Sequence, residues 1–324
     1  MSARVRLQQR IDDYLDERQR LGFKLHSRST LLAGFARYVA DHKHRGPLTA
    51  DLMIDWAKQD KWQRGTPSTW AARLAFVRHF ARYLKQFEPE TEVPEELTFG
   101  PEPGRVAPHI FHDQEVIDLL AAARQLGPPG SIRPATYETL FGLMASAGLR
   151  VSEALHLRDA DVDLKRGMLT IRQTKFAKSR LLPVHPTTVA ALVKYRKARA
   201  RHVATVADMP FLISSRGRRL GLPLGDRQAH RVFNALRDRL GWANRGGHVA
   251  IRLHDLRHTF VVRRLMRWHA DGTDIDQMML ALSTYMGHAE IFYTYWYITA
   301  VPELMALAGG KFERFADLAG GDNE

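Results

Sequence analysis

The sequence contains no cysteine among its 324 residues. That absence excludes disulfide bonds, thiol nucleophiles and cysteine-ligated zinc, so any metal site has to use His, Asp or Glu side chains. Long apolar runs are also missing, because none reaches the ~20 residues that a membrane-spanning helix needs. The first twenty residues are polar and charged, unlike a secretory leader. We therefore expect a soluble intracellular protein with no membrane partner.

Acidic residues are too few to balance the basic ones. There are 48 basic and 35 acidic residues, which give a formal net charge of +13. Hydrophobic residues make up 45% of the chain, enough to build sizeable cores. A protein this basic attracts a polyanion, because each phosphate that it neutralises releases counterions. We expect a nucleic-acid partner; a soluble protein that is merely basic is the alternative.

An acidic, proline-rich stretch divides the chain. Residues 88–103 carry six acidic residues, no basic residue and four prolines. Because proline lacks a backbone donor and stiffens extended chain, this composition indicates a linker. Residues 1–87 hold 17 basic and 8 acidic residues, and residues 104–324 hold 31 and 21. We predict one domain at 1–87, a linker at 88–104 and a second domain at 105–324, two basic modules able to hold a duplex from two sides.

The first domain is predicted to be a small bundle of about four helices. Helical spacing of apolar residues is clearest after the start signal Thr66-Pro67, at Trp70, Leu74, Val77, Phe80 and Leu84. Further helices are expected near 4–20, 29–43 and 49–59. Basic residues that lie mostly off the apolar stripe are candidate DNA contacts, with a solvated face as the alternative: Arg73, Arg78, Arg82 and Lys85.

The second domain is predicted to be mostly helical, with a small antiparallel sheet. Helices are expected near Gln114–Arg124 and Pro134–Ser146. Polar and apolar residues then alternate over 168–173, and 180–184 forms a partner strand, so a sheet of two or three strands is expected. Beyond Pro186 the pattern is again mostly helical. The fold class is therefore mainly α, with one small sheet.

Two clusters in this domain carry cations suited to phosphate. In Gly148-Leu149-Arg150-Val151-Ser152-Glu153, the Arg150 guanidinium can clamp a phosphate and Glu153 can orient it. An ordinary surface ion pair is the alternative. In the segment 174–180, Lys175 lies at a predicted hairpin tip, from which a lysine can donate a proton to a leaving oxygen. A solvated turn is the alternative there.

Two further clusters carry groups that can move protons or attack. His254 and Arg257 lie one helical turn apart on one face. His254 and His258 also have the spacing of a zinc helix, although Asp255 is a shorter carboxylate than the usual glutamate. Gly287-His288 is followed by three tyrosines, which form either an aromatic core stripe or a source of a nucleophile: Tyr293, Tyr295 and Tyr297.

Taken in order, these clusters resemble the catalytic pattern of the tyrosine recombinase, or phage integrase, family. "GLRVSEAL" resembles its first arginine motif, "TKFAKSRLLPV" its hairpin lysine stretch, "LHDLRHTF" its second arginine box and "YMGHAE" its Gly-His box. The family's Arg, Lys, His-x-x-Arg, Gly-His and Tyr fall on Arg150, Lys175, His254, Arg257, His288 and Tyr297. The family nucleophile lies nine residues after the last histidine, which selects Tyr297 over the other two tyrosines.

The resemblance implies a site-specific DNA recombinase or integrase that needs no metal, ATP or other cofactor. Tyr297 would attack a phosphate of double-stranded DNA, giving a 3′-phosphotyrosyl link and a free 5′-hydroxyl. The two arginines and His288 would stabilise the transition state, and Lys175 would protonate the leaving oxygen. His254 would accept the tyrosine proton, and Glu153 would support the site. Lys178 and Arg180 are further candidate DNA contacts.

The resemblance also implies partners and a setting. We expect a homotetramer or hetero-tetramer on two DNA sites, in the bacterial cytoplasm at the nucleoid. Integration or transposition of a mobile element and resolution of chromosome dimers all stay open as its role. The tail Val301–Ala319 would dock on a neighbouring subunit, or else pack on its own domain. Two departures stand out: the stretch between Arg257 and His288 is long, and Met286 replaces the usual leucine. The alternatives are a non-catalytic DNA-binding protein of a mobile element and a metal hydrolase using His254 and His258.

Overall fold

The computed structural model describes residues 3–23, 26–59, 65–101, 104–172, 179–215 and 217–300. The chain forms two compact units, Met1–Arg105 and Val106–Glu324. The division therefore falls after the acidic stretch. None of the helices in the described ranges combines the length and the apolarity that crossing a bilayer requires.

The first unit is a four-helix bundle, as the sequence predicted. Its helices are α1 (Ala3–Arg20), α2 (His26–Asp41), α3 (Ala50–Lys58) and α4 (Pro67–Leu84). The Thr49 and Thr66 hydroxyls accept hydrogen bonds from the backbone of Leu52 and Thr69, and so cap α3 and α4. Each helix gives apolar residues to one core, which includes Ile11 of α1, Phe35 of α2, Trp56 of α3 and Phe80 of α4.

The acidic stretch is part of this first unit. Thr91 is fully buried, and Val93 and Phe99 pack against the bundle core. The buried guanidinium of Arg78 donates to the carbonyls of Pro94 and Glu95, within the same stretch. The hydrogen bonds of Arg78 therefore hold the stretch against α4. This corrects two predictions: residues 88–101 do not form a free tether, and Arg78 is not presented to DNA.

The other three basic candidates of α4 differ from one another in exposure. The guanidinium of Arg73 lies 4.5 Å from the ring centre of Trp56, so its first role is to pack against α3. Arg82 is exposed and pairs with Glu96 at 2.8 Å. Lys85 is exposed at the end of the helix. Contact between DNA and Arg82 or Lys85 stays a prediction.

The second unit combines eight helices with one three-stranded sheet within its described part. The helices are α5 (Asp113–Arg124), α6 (Arg133–Ala147), α7 (Val151–Leu155), α8 (Pro186–Ala200), α9 (Asp226–Leu240), α10 (Asp255–Ala270), α11 (Ile275–Met286) and α12 (Phe292–Ala300). The strands are β1 (Val162–Asp163), β2 (Met168–Ile171) and β3 (Arg180–Pro183), antiparallel in the order β1-β2-β3. Leu169 faces Leu182 across β2 and β3, and both side chains are buried. The mainly helical fold with a small antiparallel sheet is confirmed.

The long stretch between the second arginine and the Gly-His box is a helical hairpin. It consists of the later turns of α10, a short turn and α11, whose first amides donate to the side chain of Asp274. A separate apolar cluster joins this hairpin to α12, with Val261 and Leu265 on one side and Met279 and Leu282 on the other. Met286 is buried there and fills the place usually held by leucine. The hairpin thus seats α12, the helix that carries Tyr297.

Candidate active site

Arg150 occupies the sharp corner between α6 and α7. Gly148 ends α6 with φ +62°, and a Cβ on it would lie 2.5 Å from the Phe260 ring, so only glycine fits. The chain turns there and sets Arg150 directly before α7. The guanidinium of Arg150 donates to Glu153 Oε1 at 2.7 Å and to the Gly287 carbonyl at 2.9 Å. About a third of the side chain (32%) stays exposed and available to a phosphate.

Arg257 reaches the same place from the first turn of α10. Its buried guanidinium donates to the carbonyls of Gly148 and Met286, both at 2.7 Å. Arg257 thus binds the Met286 carbonyl, and Arg150 binds the carbonyl of the next residue, Gly287. The two guanidiniums therefore meet in one site. Burial and the neighbouring Arg150 charge lower the pKa of Arg257 to about 9, which still leaves it positively charged at neutral pH.

Glu153 is the anion that holds the cations together. Its carboxylate accepts from the Arg150 backbone amide at 3.0 Å, and from both terminal nitrogens of Arg180 at 3.0 Å each. It also lies 3.7 Å from Arg257. Burial by itself raises the pKa of Glu153, but the hydrogen bonds and charge of Arg180 outweigh it and bring the pKa to about 2. One negative charge thus stands among three positive charges, which leaves a net positive site.

Arg180, predicted to contact DNA, belongs to this internal network. Besides binding Glu153, it donates through Nε to the Tyr285 carbonyl at 2.9 Å, and its side chain is only 12% exposed. Gly287 has φ +64°, and a Cβ there would lie 2.6 Å from Arg180 Nη1. The glycine of the Gly-His box therefore supplies both the turn and the space for Arg180. Lys175 and Lys178 lie outside the described residues.

His288 follows α11 after the capping residue Gly287. Its backbone amide donates to the Ser283 carbonyl at 3.0 Å, which fixes the turn. Its ring Nδ1 lies 2.7 Å from the hydroxyl of Thr294, a fully buried residue of α12. This hydrogen bond holds the orientation of the imidazole beside the Gly287 carbonyl that Arg150 binds.

Tyr297 is buried (3% exposed) against the face of α10 that carries the histidines. The hydroxyl oxygen of Tyr297 lies 2.7 Å from Nδ1 of His258. The charge of an ionised Tyr297 acts to raise the pKa of Arg257. The other tyrosines are placed differently. Tyr295 makes a weak, exposed hydrogen bond to Asp276 at 3.5 Å, and the Tyr293 ring lies 6.5 Å from that of His288. The geometry favours Tyr297 as the attacking group.

His258 is the residue that sequence reasoning placed only in the zinc alternative. The structure brings His258 of α10, rather than His254 at the N-cap of that helix, to hydrogen-bonding distance of the Tyr297 hydroxyl. The His254 ring packs edge-on against His258, with 4.8 Å between ring centres. The available signal was spacing, because residue 258 lies one turn after 254 and directly after Arg257. Among the residues that the structure describes, no group of three or more His, Asp or Glu side chains is arranged to hold a metal.

Both histidines are poor bases in this environment. Burial and the Arg257 charge lower the pKa of His254 to about 4. Burial, His254 and Arg252 lower the pKa of His258 to about 2. Each imidazole is therefore neutral near pH 7, and a neutral imidazole can accept a hydrogen bond at one ring nitrogen.

Comparison with known proteins agrees with this geometry. A sequence model of the phage integrase family matches residues 110–303. A putative integrase/recombinase, y4rB of Sinorhizobium fredii, is 39% identical over 94% of this chain and 96% of its own length. The tyrosine recombinase XerC of Pelobacter propionicus is 28% identical over 82% of this chain and 81% of its own. The Tn1549 transposon integrase, solved with transposon right end DNA, shares the fold with a TM-score of 0.66, at 16% identity over 95% of this chain and 99% of that one. The chain therefore belongs to the phage integrase family and is a tyrosine-type site-specific recombinase.

Proposed function

We propose that this recombinase cuts duplex DNA by attack of Tyr297 on a phosphodiester held between Arg150 and Arg257, which leaves a 3′-phosphotyrosyl link. One observation carries the proposal: two guanidiniums from distant parts of the chain bind adjacent carbonyls of the Gly-His box. Tyr297 lies against the same helix that carries Arg257. The proposed nucleophile and one of the two proposed phosphate-binding arginines thus lie at the same helix, which supports the assignment.

The charge of the site suits the transition state. A phosphodiester carries one negative charge, and the five-coordinate phosphorus of the transition state carries more. Arg150, which is partly exposed, would contact the phosphate directly, and the buried Arg257 would stabilise the added charge from behind. Because these donors are fixed before the reaction, removing one of them should cost ~3–4 kcal/mol, or ~100–1000-fold in rate.

The remaining groups complete the transfer. His288, held by Thr294, would donate a hydrogen bond to a non-bridging phosphate oxygen. Lys175 would protonate the leaving 5′-oxygen. The P–O5′ bond breaks as the bond from Tyr297 to phosphorus forms, so the ester energy is kept in the phosphotyrosyl link. A 5′-hydroxyl of the partner strand then attacks this link, and no ATP is consumed.

The substrate and setting are proposed from the relatives. The Tn1549 integrase was solved with transposon DNA, and y4rB is a putative integrase/recombinase. These names support a role in moving a genetic element, which we propose takes place at the bacterial nucleoid. We also propose that a homotetramer or hetero-tetramer brings two double-stranded DNA sites together. The tail 301–319, proposed to dock between subunits, lies outside the described residues.

Covalent trapping tests this function directly. The protein is incubated with genomic DNA of its host in EDTA, denatured in detergent, and the protein-linked fragments are sequenced. We expect fragments that share one short site, with the protein on the 3′-phosphate, and none with Tyr297→Phe. Binding without any linked fragment would instead support the non-catalytic alternative, and cleavage abolished by EDTA would support the metal hydrolase.

A further inference from the structure

We infer that His258 is the group that accepts the proton of Tyr297 when the tyrosine attacks DNA. The inference rests on the proposed function and deepens it, since the sequence had suggested His254 for this step. Its basis is the contact between the reacting oxygen and an imidazole, with 2.7 Å between Tyr297 Oη and His258 Nδ1. A group that receives a proton must lie within hydrogen-bonding reach of it, which puts geometry before any argument from acidity.

The His258 ring is fixed from several sides. Its centre lies 4.8 Å from that of His254, which packs edge-on. On α12 it meets Trp296 at 6.1 Å and Tyr297 at 5.5 Å between ring centres. An imidazole confined by three rings has little freedom to turn its Nδ1 away from the phenol. His254, one turn earlier at the N-cap of α10, is therefore a positioning residue that supports the base without replacing it.

Before attack, the Tyr297 hydroxyl donates its hydrogen bond to Nδ1 of a neutral His258 whose own proton is on Nε2. As the phenolic oxygen bonds to phosphorus, the proton moves to Nδ1 and gives an imidazolium. The P–O5′ bond breaks, and the leaving oxygen takes a different proton from the acid on that side. On rejoining, His258 returns its proton to the departing Tyr297 oxygen.

The surrounding charges couple this step to DNA. The charged or titratable groups that act on His258 come from α10 and the loop before it, namely His254, Arg257, Arg252 and His248. The positive charges of Arg252 and Arg257 disfavour an imidazolium at His258 in the free protein. A phosphodiester bound at Arg257 would offset that charge, and the transition state would offset more of it. His258 would therefore become an effective base only when the phosphate is in place, which guards Tyr297 against premature ionisation.

The test compares the wild-type protein with its variants in single-turnover cleavage of a nicked duplex. The duplex carries the DNA site that covalent trapping identifies. We expect His258→Asn and His258→Ala to slow cleavage by about 100-fold or more while DNA affinity stays unchanged. Asparagine keeps an acceptor near the place of Nδ1 but cannot take a proton, so a wild-type rate in His258→Asn overturns the inference. The matched control is His230→Asn on α9, a half-buried histidine paired with Asp226, which should cleave normally.

Two chemical probes locate the defect on the attacking side. A duplex with sulfur in place of the bridging 5′-oxygen has a leaving group that needs no proton. The His258→Asn variant should stay slow on this duplex, and full recovery would assign His258 to the leaving group instead. Difluorotyrosine at position 297, a more acidic phenol, should recover part of the lost rate, and no recovery contradicts the inference. If the wild-type protein forms no adduct at all, the proposed function fails instead.

Discussion

Replacing Glu153 by glutamine tests whether one buried carboxylate holds the arginines of the site together. Oε1 accepts from the side chains of Arg150 and Arg180, and Oε2 accepts from the Arg150 backbone and from Arg180. Whichever way the amide of Glu153→Gln turns, its NH2 group faces two donors. Two hydrogen bonds to a charged group are lost, at about 1.5–3 kcal/mol each. We therefore expect the second unit to lose about 3–5 kcal/mol, the usual cost of removing one partner of a buried ion pair.

The lowered pKa of Glu153 gives a second value for the stability that this carboxylate contributes. A drop from 4.5 to about 2 corresponds to about 3 kcal/mol of stabilisation at 1.36 kcal/mol per unit. Because the pKa is lowered in the folded state, this contribution is complete above about pH 4.5 and is lost as the pH falls toward 2. The Glu153→Gln variant should lack this part of the acid-induced loss of stability.

Amide hydrogen exchange, measured by mass spectrometry in increasing urea, provides the assay, because it follows α7 and α10 separately from the first unit. The control is Glu138→Gln, since Glu138 pairs at 2.8 Å with Arg124, whose side chain is 55% exposed. This control should change stability by less than about 1 kcal/mol. If Glu153→Gln behaved like the control, the account of Glu153 as the central anion would be wrong.

Three more outcomes follow from the contacts. Arg78→Met should destabilise the first unit by about 3 kcal/mol, seen in urea unfolding, and leave the salt dependence of DNA binding unchanged. If the slope of log DNA affinity against log salt concentration became smaller in magnitude by about one, Arg78 would instead contact a phosphate. Gly287→Ala should slow adduct formation by ~100-fold and lower the melting temperature, because the new Cβ, at a positive φ, displaces Arg180 from Glu153. Because burial and nearby positive charge lower the pKa values of His254 and His258 to about 4 and 2, the unfolded chain binds protons first. The free energy of unfolding should thus decrease as the pH is lowered below about 6.5. It should decrease less steeply in the His258→Asn variant.

Sequence periodicity predicted the elements whose burial is local. The apolar stripe of α4 and its Thr66-Pro67 start appear as expected, and the alternation over 168–171 forms β2. The motif order also led to Arg150 and Arg257, because the family pattern carries these residues in sequence. In each case, the information lies within a few residues of the element or motif itself.

Contacts between segments distant in sequence were not predictable in the same way. Proline and acidic residues in 88–101 indicated a tether, but carbonyls in that stretch accept hydrogen bonds from Arg78. Arg180 stands in a basic motif, yet its partner is Glu153, from another element. His258 was missed as a catalytic candidate because only the packing of α12 on α10 brings Tyr297 to it. Basic residues have the same one-letter pattern whether their partner is a phosphate or a carboxylate of the same chain.

Identifying the residue that is joined to DNA tests directly whether Tyr297 is the nucleophile. Protein trapped on a nicked duplex with its cognate site is digested, and the nucleotide-bearing peptide is sequenced by mass spectrometry. We expect a single phosphotyrosyl link at Tyr297, absent in Tyr297→Phe. A link at Tyr293 or Tyr295, or an adduct that persists in Tyr297→Phe, would contradict it.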